Sequence, residues 1–194
     1  MQRFQMTFNA RLFPVLTLAT SLLVQPALAQ DTQEWGMVGD WLIGIDPSLG
    51  NACYALNSYE DGTVLRTGLD FSGDENVWYI LLGNDRWQSL EVDGEYEITM
   101  QFDREPAWTA VAAGVDMGGE AAFLYIFGSD ANFFDEFILK HGVSFTYDGA
   151  EIASLSLAGS ARALVGMVQC QEELDGQRDP FAKKKSKGVD PFAR

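Results

Sequence analysis

Along most of the chain, apolar and polar residues alternate with a period of two, which marks strands that bury one face. Trp41, Ile43 and Ile45 alternate with Leu42, Gly44 and Asp46, and residues 52–59 form a second strand candidate turned by Glu60-Asp61-Gly62. Leu65, Thr67, Leu69 and Phe71 share one face of the next. Residues 77–82 are apolar throughout and predict a strand buried on both sides; Gly83-Asn84-Asp85 turns it. Residues 86–92 lead into Asp93-Gly94, a short hairpin signal. The cleanest alternation follows, with Tyr96, Ile98, Met100 and Phe102 inward and Glu95, Glu97, Thr99 and Gln101 outward. Residues 108–115 and 121–127 continue as strands; Val143, Phe145 and Tyr147 form another, which Asp148-Gly149 turns into residues 152–157. Repeated short strands with glycine-containing turns predict a mainly β domain, an antiparallel β-sandwich or barrel.

Two segments break this period. Phe133, Phe134, Phe137 and Ile138 recur at helical spacing between Asp130, a cap, and Gly142, a stop. Lys140 and His141 suit the negative end of that helix. A second helix is predicted over residues 160–172, with Ser160 as its cap and Ala161, Leu164, Val165 and Val168 as its buried stripe.

The two ends of the chain differ from this body. Arg3 and Arg11 precede an apolar run over residues 12–24, and Ala27-Leu28-Ala29 offers small residues for cleavage. Residues 1–29 therefore predict a signal peptide, too short in its apolar core to span a bilayer. Cleavage leaves 165 of the 194 residues, enough for one domain over residues 30–172. No other segment is long and apolar enough to cross a membrane as a helix, and the expected location is periplasmic or secreted. Residues 173–194 lose all periodicity, hold six basic residues and predict a disordered basic tail. The tail carries a near repeat, Asp179-Pro180-Phe181-Ala182 and Asp190-Pro191-Phe192-Ala193. Phe181 and Phe192, with Lys183, Lys184 and Lys185 between them, are candidate docking residues, for an envelope protein or an anionic membrane surface.

Charge narrows the partners. The chain carries a formal net charge of −15 with 47% hydrophobic and 12% aromatic residues. Between residues 30 and 172 there are 24 acidic residues against five basic ones, Arg66, Arg86, Arg104, Lys140 and Arg162. Such a surface repels phosphate backbones and excludes nucleic acid as a partner of the body. An even number of cysteines in an exported chain predicts a disulfide, here Cys53 to Cys170. Closing a loop of that size stabilises by roughly 4–5 kcal/mol in the chain-entropy model.

Candidate chemistry is sparse. His141 is the single histidine, placed at a helix end, and no Gly-x-Ser-x-Gly elbow is present to pair a nucleophile with it. One histidine and two bridged cysteines supply no zinc or iron ligand set, and no cofactor motif is found. Residues 70–76 read as a turn rather than a calcium loop. Of five tryptophans, Trp41, Trp78 and Trp108 fall on strand patterns, and Trp87, beside Arg86, is the candidate exposed aromatic. These features favour a non-enzymatic binding role in the envelope. A carboxylate-dependent hydrolase of envelope glycan and a small-ligand carrier are the alternatives.

Gly39-Asp40-Trp41, Cys53 a strand later, and Ser156-Leu157-Ala158-Gly159-Ser160 leading to Ala163-Leu164 in a final helix resemble the invasion-associated locus B proteins of proteobacteria. The resemblance implies an exported β-rich fold with no established catalytic role, and it carries no site residues across. That family tends to place a cysteine soon after Gly-Asp-Trp, where this chain has Ile45 and Asp46, so a bridge to Cys170 implies different wiring.

Overall fold

The computed structural model describes residues 32–73, 77–117, 122–128 and 131–177. The expected signal peptide and both Asp-Pro-Phe-Ala copies, with Phe181, Phe192, Lys183, Lys184 and Lys185, lie outside the described residues.

The fold is mainly β, with ten strands in one antiparallel sheet and two helices, the second near the C-terminal end. Strands β1 (Gln33–Val38), β2 (Trp41–Asp46), β3 (Ala52–Ser58), β4 (Thr63–Asp70) and β5 (Val77–Asn84) form a meander. Strand β5 then pairs with β8 (Ala122–Gly128), which continues through β7 (Trp108–Asp116), β6 (Glu95–Phe102), β9 (Gly142–Tyr147) and β10 (Ala150–Ser156). The chain leaving β5 must therefore pass β8 and β7 before it enters β6. The chain leaving β8 passes β7 and β6 through α1 (Ala131–Leu139) before it enters β9. The second helix, α2 (Ser160–Gln177), packs on β2 and β3.

One face of the sheet curls round a single core. Ile43, Ala55, Leu65, Ile80 and Leu82 from the first half share that core with Ile98, Met100, Phe102, Val143 and Phe145 from the second. Phe137 of α1 joins the halves: its ring meets Trp41 at 6.5 Å, Trp78 at 5.9 Å and Phe102 at 6.2 Å, edge to face in each case. Edge-to-face pairing aims the positive ring edge at the negative ring face, so these contacts add to simple burial.

The disulfide forms as expected, with Cys53 on β3 and Cys170 on α2 at a Cα separation of 6.2 Å. Beside it the Cys53 amide donates to Gln171 Oε1 at 2.9 Å, and the Trp35 indole of β1 donates to Glu173 at 3.0 Å. Three contacts thus tie the last helix to β1 and β3.

The sequence expectations change at four points. Strand β1 was not foreseen, because Gln33, Glu34 and Met37 face solvent at a sheet edge and leave no apolar alternation. Residues 86–92 are not a hairpin strand; they belong to a loop that crosses the ends of β8 and β7. The stripe expected to bury α2 is displaced by part of a turn. Leu164 is buried together with Ala163, Met167 and Cys170, while Ala161, Val165 and Val168 lie on the outer side. The helix also runs past residue 172 to Gln177.

Candidate functional site

The loop between β5 and β6 is built from short turns. Trp87 N donates to Asn84 O at 2.9 Å, Leu90 N to Trp87 O at 3.2 Å and Gly94 N to Glu91 O at 3.1 Å. Its far end is laced to β7: Asp93 N donates to Gly114 O and Gly114 N to Gly94 O, both at 2.8 Å. Glycine is required at 114, because a Cβ there would sit 2.0 Å from the Glu91 carbonyl oxygen. The Tyr96 hydroxyl accepts from Glu91 N at 2.8 Å and fixes the same stretch from β6. The near end is held by Asn84, whose amide donates to Thr63 Oγ1 at 2.9 Å and whose oxygen accepts from Arg86 N at 3.0 Å and Arg86 Nε at 3.2 Å. Arg86 also donates to the Asp61 carbonyl at 2.6 Å, yet 68% of its side chain is exposed.

Held in this way, the loop roofs an open pocket of about 430 Å³. The floor is apolar, with Leu90, Ile98, Leu124 and Ile152. The walls are aromatic: Trp87 on the loop, then Tyr96 and Tyr147, which meet edge to face at 5.5 Å. Ser89 and Arg86 add polar side chains to the lining, which includes no carboxylate, and the exposed Arg86 guanidinium also lies 3.9 Å from the Asp61 carboxylate outside the pocket. A concave apolar site of this size with few polar groups is what small-molecule recognition uses. Trp87, the candidate exposed aromatic, is half-buried and lines this pocket. Tyr96 and Tyr147 read in the sequence as ordinary inward strand positions. Only the loop crossing above them turns those positions into walls.

A second arrangement lies on the opposite face of the sheet. Arg66 of β4 is 5% exposed and donates through Nε to the Tyr79 hydroxyl at 2.8 Å and through a terminal nitrogen to Asp46. Its guanidinium carbon stacks 3.8 Å from the Tyr54 ring centre. Tyr54 can lie flat there because residue 44 lacks a side chain; a Cβ on Gly44 would be 2.4 Å from the Tyr54 hydroxyl. Burial alone would raise the Asp46 carboxyl, but hydrogen bonds from Ser48 and Arg66 and the Arg66 charge outweigh it and hold its pKa below the usual value. Burial raises the Tyr79 phenol, opposed by Arg66. Tyr79 stacks on Tyr125 at 5.4 Å, and the Tyr125 hydroxyl donates to Asp70 at 2.9 Å. The Asp46–Arg66 charges are paired with each other and covered, which marks the cluster as a lock between strands rather than an open site.

The remaining candidates do not assemble chemistry. His141 is 95% exposed, with Nδ1 3.8 Å from Asp103, while Ser160 Oγ is buried and donates to the Phe137 carbonyl at 3.2 Å. No hydrogen bond joins His141 to Ser160 or Ser144 among the described residues. Within the same residues, no group of three or more metal-ligating side chains converges. Asp70 accepts from Ser72 N and Oγ at 2.8 and 2.6 Å, an Asx-type turn. No helix among the described residues is long and apolar enough to cross a membrane.

No family model matches the chain, and no curated sequence matches it. A solved structure, that of invasion associated protein B from Bartonella henselae, superposes with a TM-score of 0.52 at 13% identity. The match covers 71% of this chain and 97% of that one. The likeness is one of fold. It agrees with the sequence resemblance, and the structure brings the residues that carry that resemblance together: Trp41 Nε1 donates to the Ala158 carbonyl at 3.0 Å.

Proposed function

We infer that this is an exported protein of the bacterial cell envelope with a non-enzymatic binding role, and that the Trp87 pocket is where it takes its ligand. The disulfide and the fold shared with an invasion associated protein are compatible with export and an envelope setting. The ligand has an apolar or aromatic body for the tyrosine and tryptophan walls and an anionic group for Arg86. The observation that carries this reading is an aromatic pocket with Arg86 in its lining, in a domain where cations are few. A carboxylate-dependent hydrolase is disfavoured at this pocket because its lining offers no acid pair.

The test is a thermal-shift screen of the chain starting at Gln30 against medium-chain fatty acids, aromatic carboxylic acids and their neutral amides. Saturable rises in melting temperature are expected for the acids. Trp87→Ala should abolish them, and Arg86→Gln should bring the acids down to the level of the amides. A flat screen, or shifts that survive in Trp87→Ala, would remove the pocket from the proposal. Fractionation of the source cells tests location separately, with release from the periplasm or medium expected.

A further inference from the structure

Helix α2 carries two apolar stripes. One is buried against β2 and β3. The other runs through Ala161, Val165 and Val168, one above another at helical spacing, and Val165 and Val168 are 59% and 46% exposed. With Ile138 of α1 and Glu172 they line a groove of about 370 Å³ along the seam between the helices. Glu172 lines the groove itself, and Glu173 and Asp175 follow it along the helix.

The helix ends at Gln177, and 17 residues of chain follow it. They hold six basic residues against two acids, and they end in the second Asp-Pro-Phe-Ala copy. This segment has both features the groove calls for: an aromatic side chain beside a proline that presets its backbone, and positive charge to run past the acids. We propose that the tail folds back along α2 and seats Phe192 in the groove between Val165 and Val168, with Lys183, Lys184, Lys185 and Lys187 passing Glu172, Glu173 and Asp175.

Length decides which copy docks. Val168 lies about 14 Å of helix back from Gln177. The four residues to Phe181 reach about 14 Å only when fully extended, which leaves nothing for the reversal of direction. The fifteen residues to Phe192 reach about 50 Å and cover the distance with slack. Phe181 is then left at the helix end, free for another partner, while Phe192 shields the apolar groove.

Methyl NMR tests this directly. Chains from Gln30 to Arg194, from Gln30 to Gln177, and the full chain with Phe192→Ala or Phe181→Ala would be labelled at valine, leucine and isoleucine methyls. The expected result is that Val165 and Val168 resonances differ between the full and shortened chains. Phe192→Ala should move them to the shortened positions, Phe181→Ala should leave them in place, and added salt should shift them toward the shortened positions. Identical resonances in full and shortened chains would overturn the proposal, as would shifts that persist in Phe192→Ala. Shifts that grow with protein concentration would place a second copy's tail in the groove and overturn it equally. The Phe192→Ala arm leaves every described residue intact, so misfolding cannot imitate its outcome.

Discussion

Trp41 and Ala158 join the two ends of the domain: the indole N–H donates to the Ala158 carbonyl at 3.0 Å across 117 positions of sequence. Trp41 is fully buried, so the bond fixes one orientation for the largest side chain in the core. Ala158 is exposed, and water can satisfy its carbonyl if the indole is lost. Trp41→Phe should therefore cost about 0.5–1.5 kcal/mol for the hydrogen bond, plus a further loss for the ring volume it leaves unfilled. Trp41→Ala should cost about 3–5 kcal/mol, because it opens a larger cavity beside Phe137. Urea unfolding of the two variants measures both, and equal losses would contradict the division.

Reduction of the Cys53–Cys170 bridge should lower stability by roughly 4–5 kcal/mol, since it closes a loop of 117 residues. The loss should appear first in α2, whose other ties to the strands include the Gln171 bond to the Cys53 amide and the Glu173 bond to Trp35. Hydrogen exchange with and without reductant reads this out. Faster exchange across the whole sheet, with α2 no worse than the rest, would contradict the placement of the bridge as the helix anchor.

Much of this was readable in advance, and the reasons divide cleanly. The β6 alternation was legible because Ile98, Met100 and Phe102 are buried while Glu95 and Glu97 face water, so period and burial agree. The disulfide was legible because two cysteines admit one pairing. The α2 stripe was misread because a helix of eighteen residues can carry apolar residues on two sides, and composition does not say which side meets the sheet. The pocket was legible only through Trp87. Its other walls come from strands that look like core until the loop crosses them, and that crossing depends on the β5–β8–β7–β6 order. Arg66 left a signal that passed unused: a lone arginine inside the apolar run Leu65 to Leu69 must find a buried acid, and Asp46 is that acid.

The Asp46–Arg66 pair should dominate acid sensitivity. Asp46 has a folded-state pKa below its unfolded value, so its contribution is present above about pH 4 and is lost as pH falls through the folded value. Arg66→Met leaves a buried carboxylate with only Ser48 as partner and should cost about 3–5 kcal/mol near neutrality. As pH falls below about 4, wild type and variant should converge, because protonation of Asp46 removes the charge that the variant leaves unpaired. Urea titrations at several pH values measure the gap, and a gap that stays constant with pH would exclude Asp46 as its source.

Gly114 and Glu91 provide the sharpest test of how the pocket is held. The Glu91 carbonyl lies where a side chain at 114 would be, so Gly114→Ala cannot be absorbed without moving the loop or β7. Strand β7 is paired on both sides, by β6 and β8, and the loop is bonded to it at only one end. The loop should therefore yield. The two bonds between Gly114 and residues 93 and 94 would lengthen, Trp87 would lose its seat over Leu90 and Ile98, and the core of the sheet would remain. The expected signature is a loss of about 1–3 kcal/mol in stability, the range for overpacking, together with loss of every ligand-induced shift seen in wild type. Hydrogen exchange should rise at residues 87–94 and stay unchanged at Ile80 and Leu82. A variant that keeps full ligand response would show that the pocket forms independently of the Gly114 clamp.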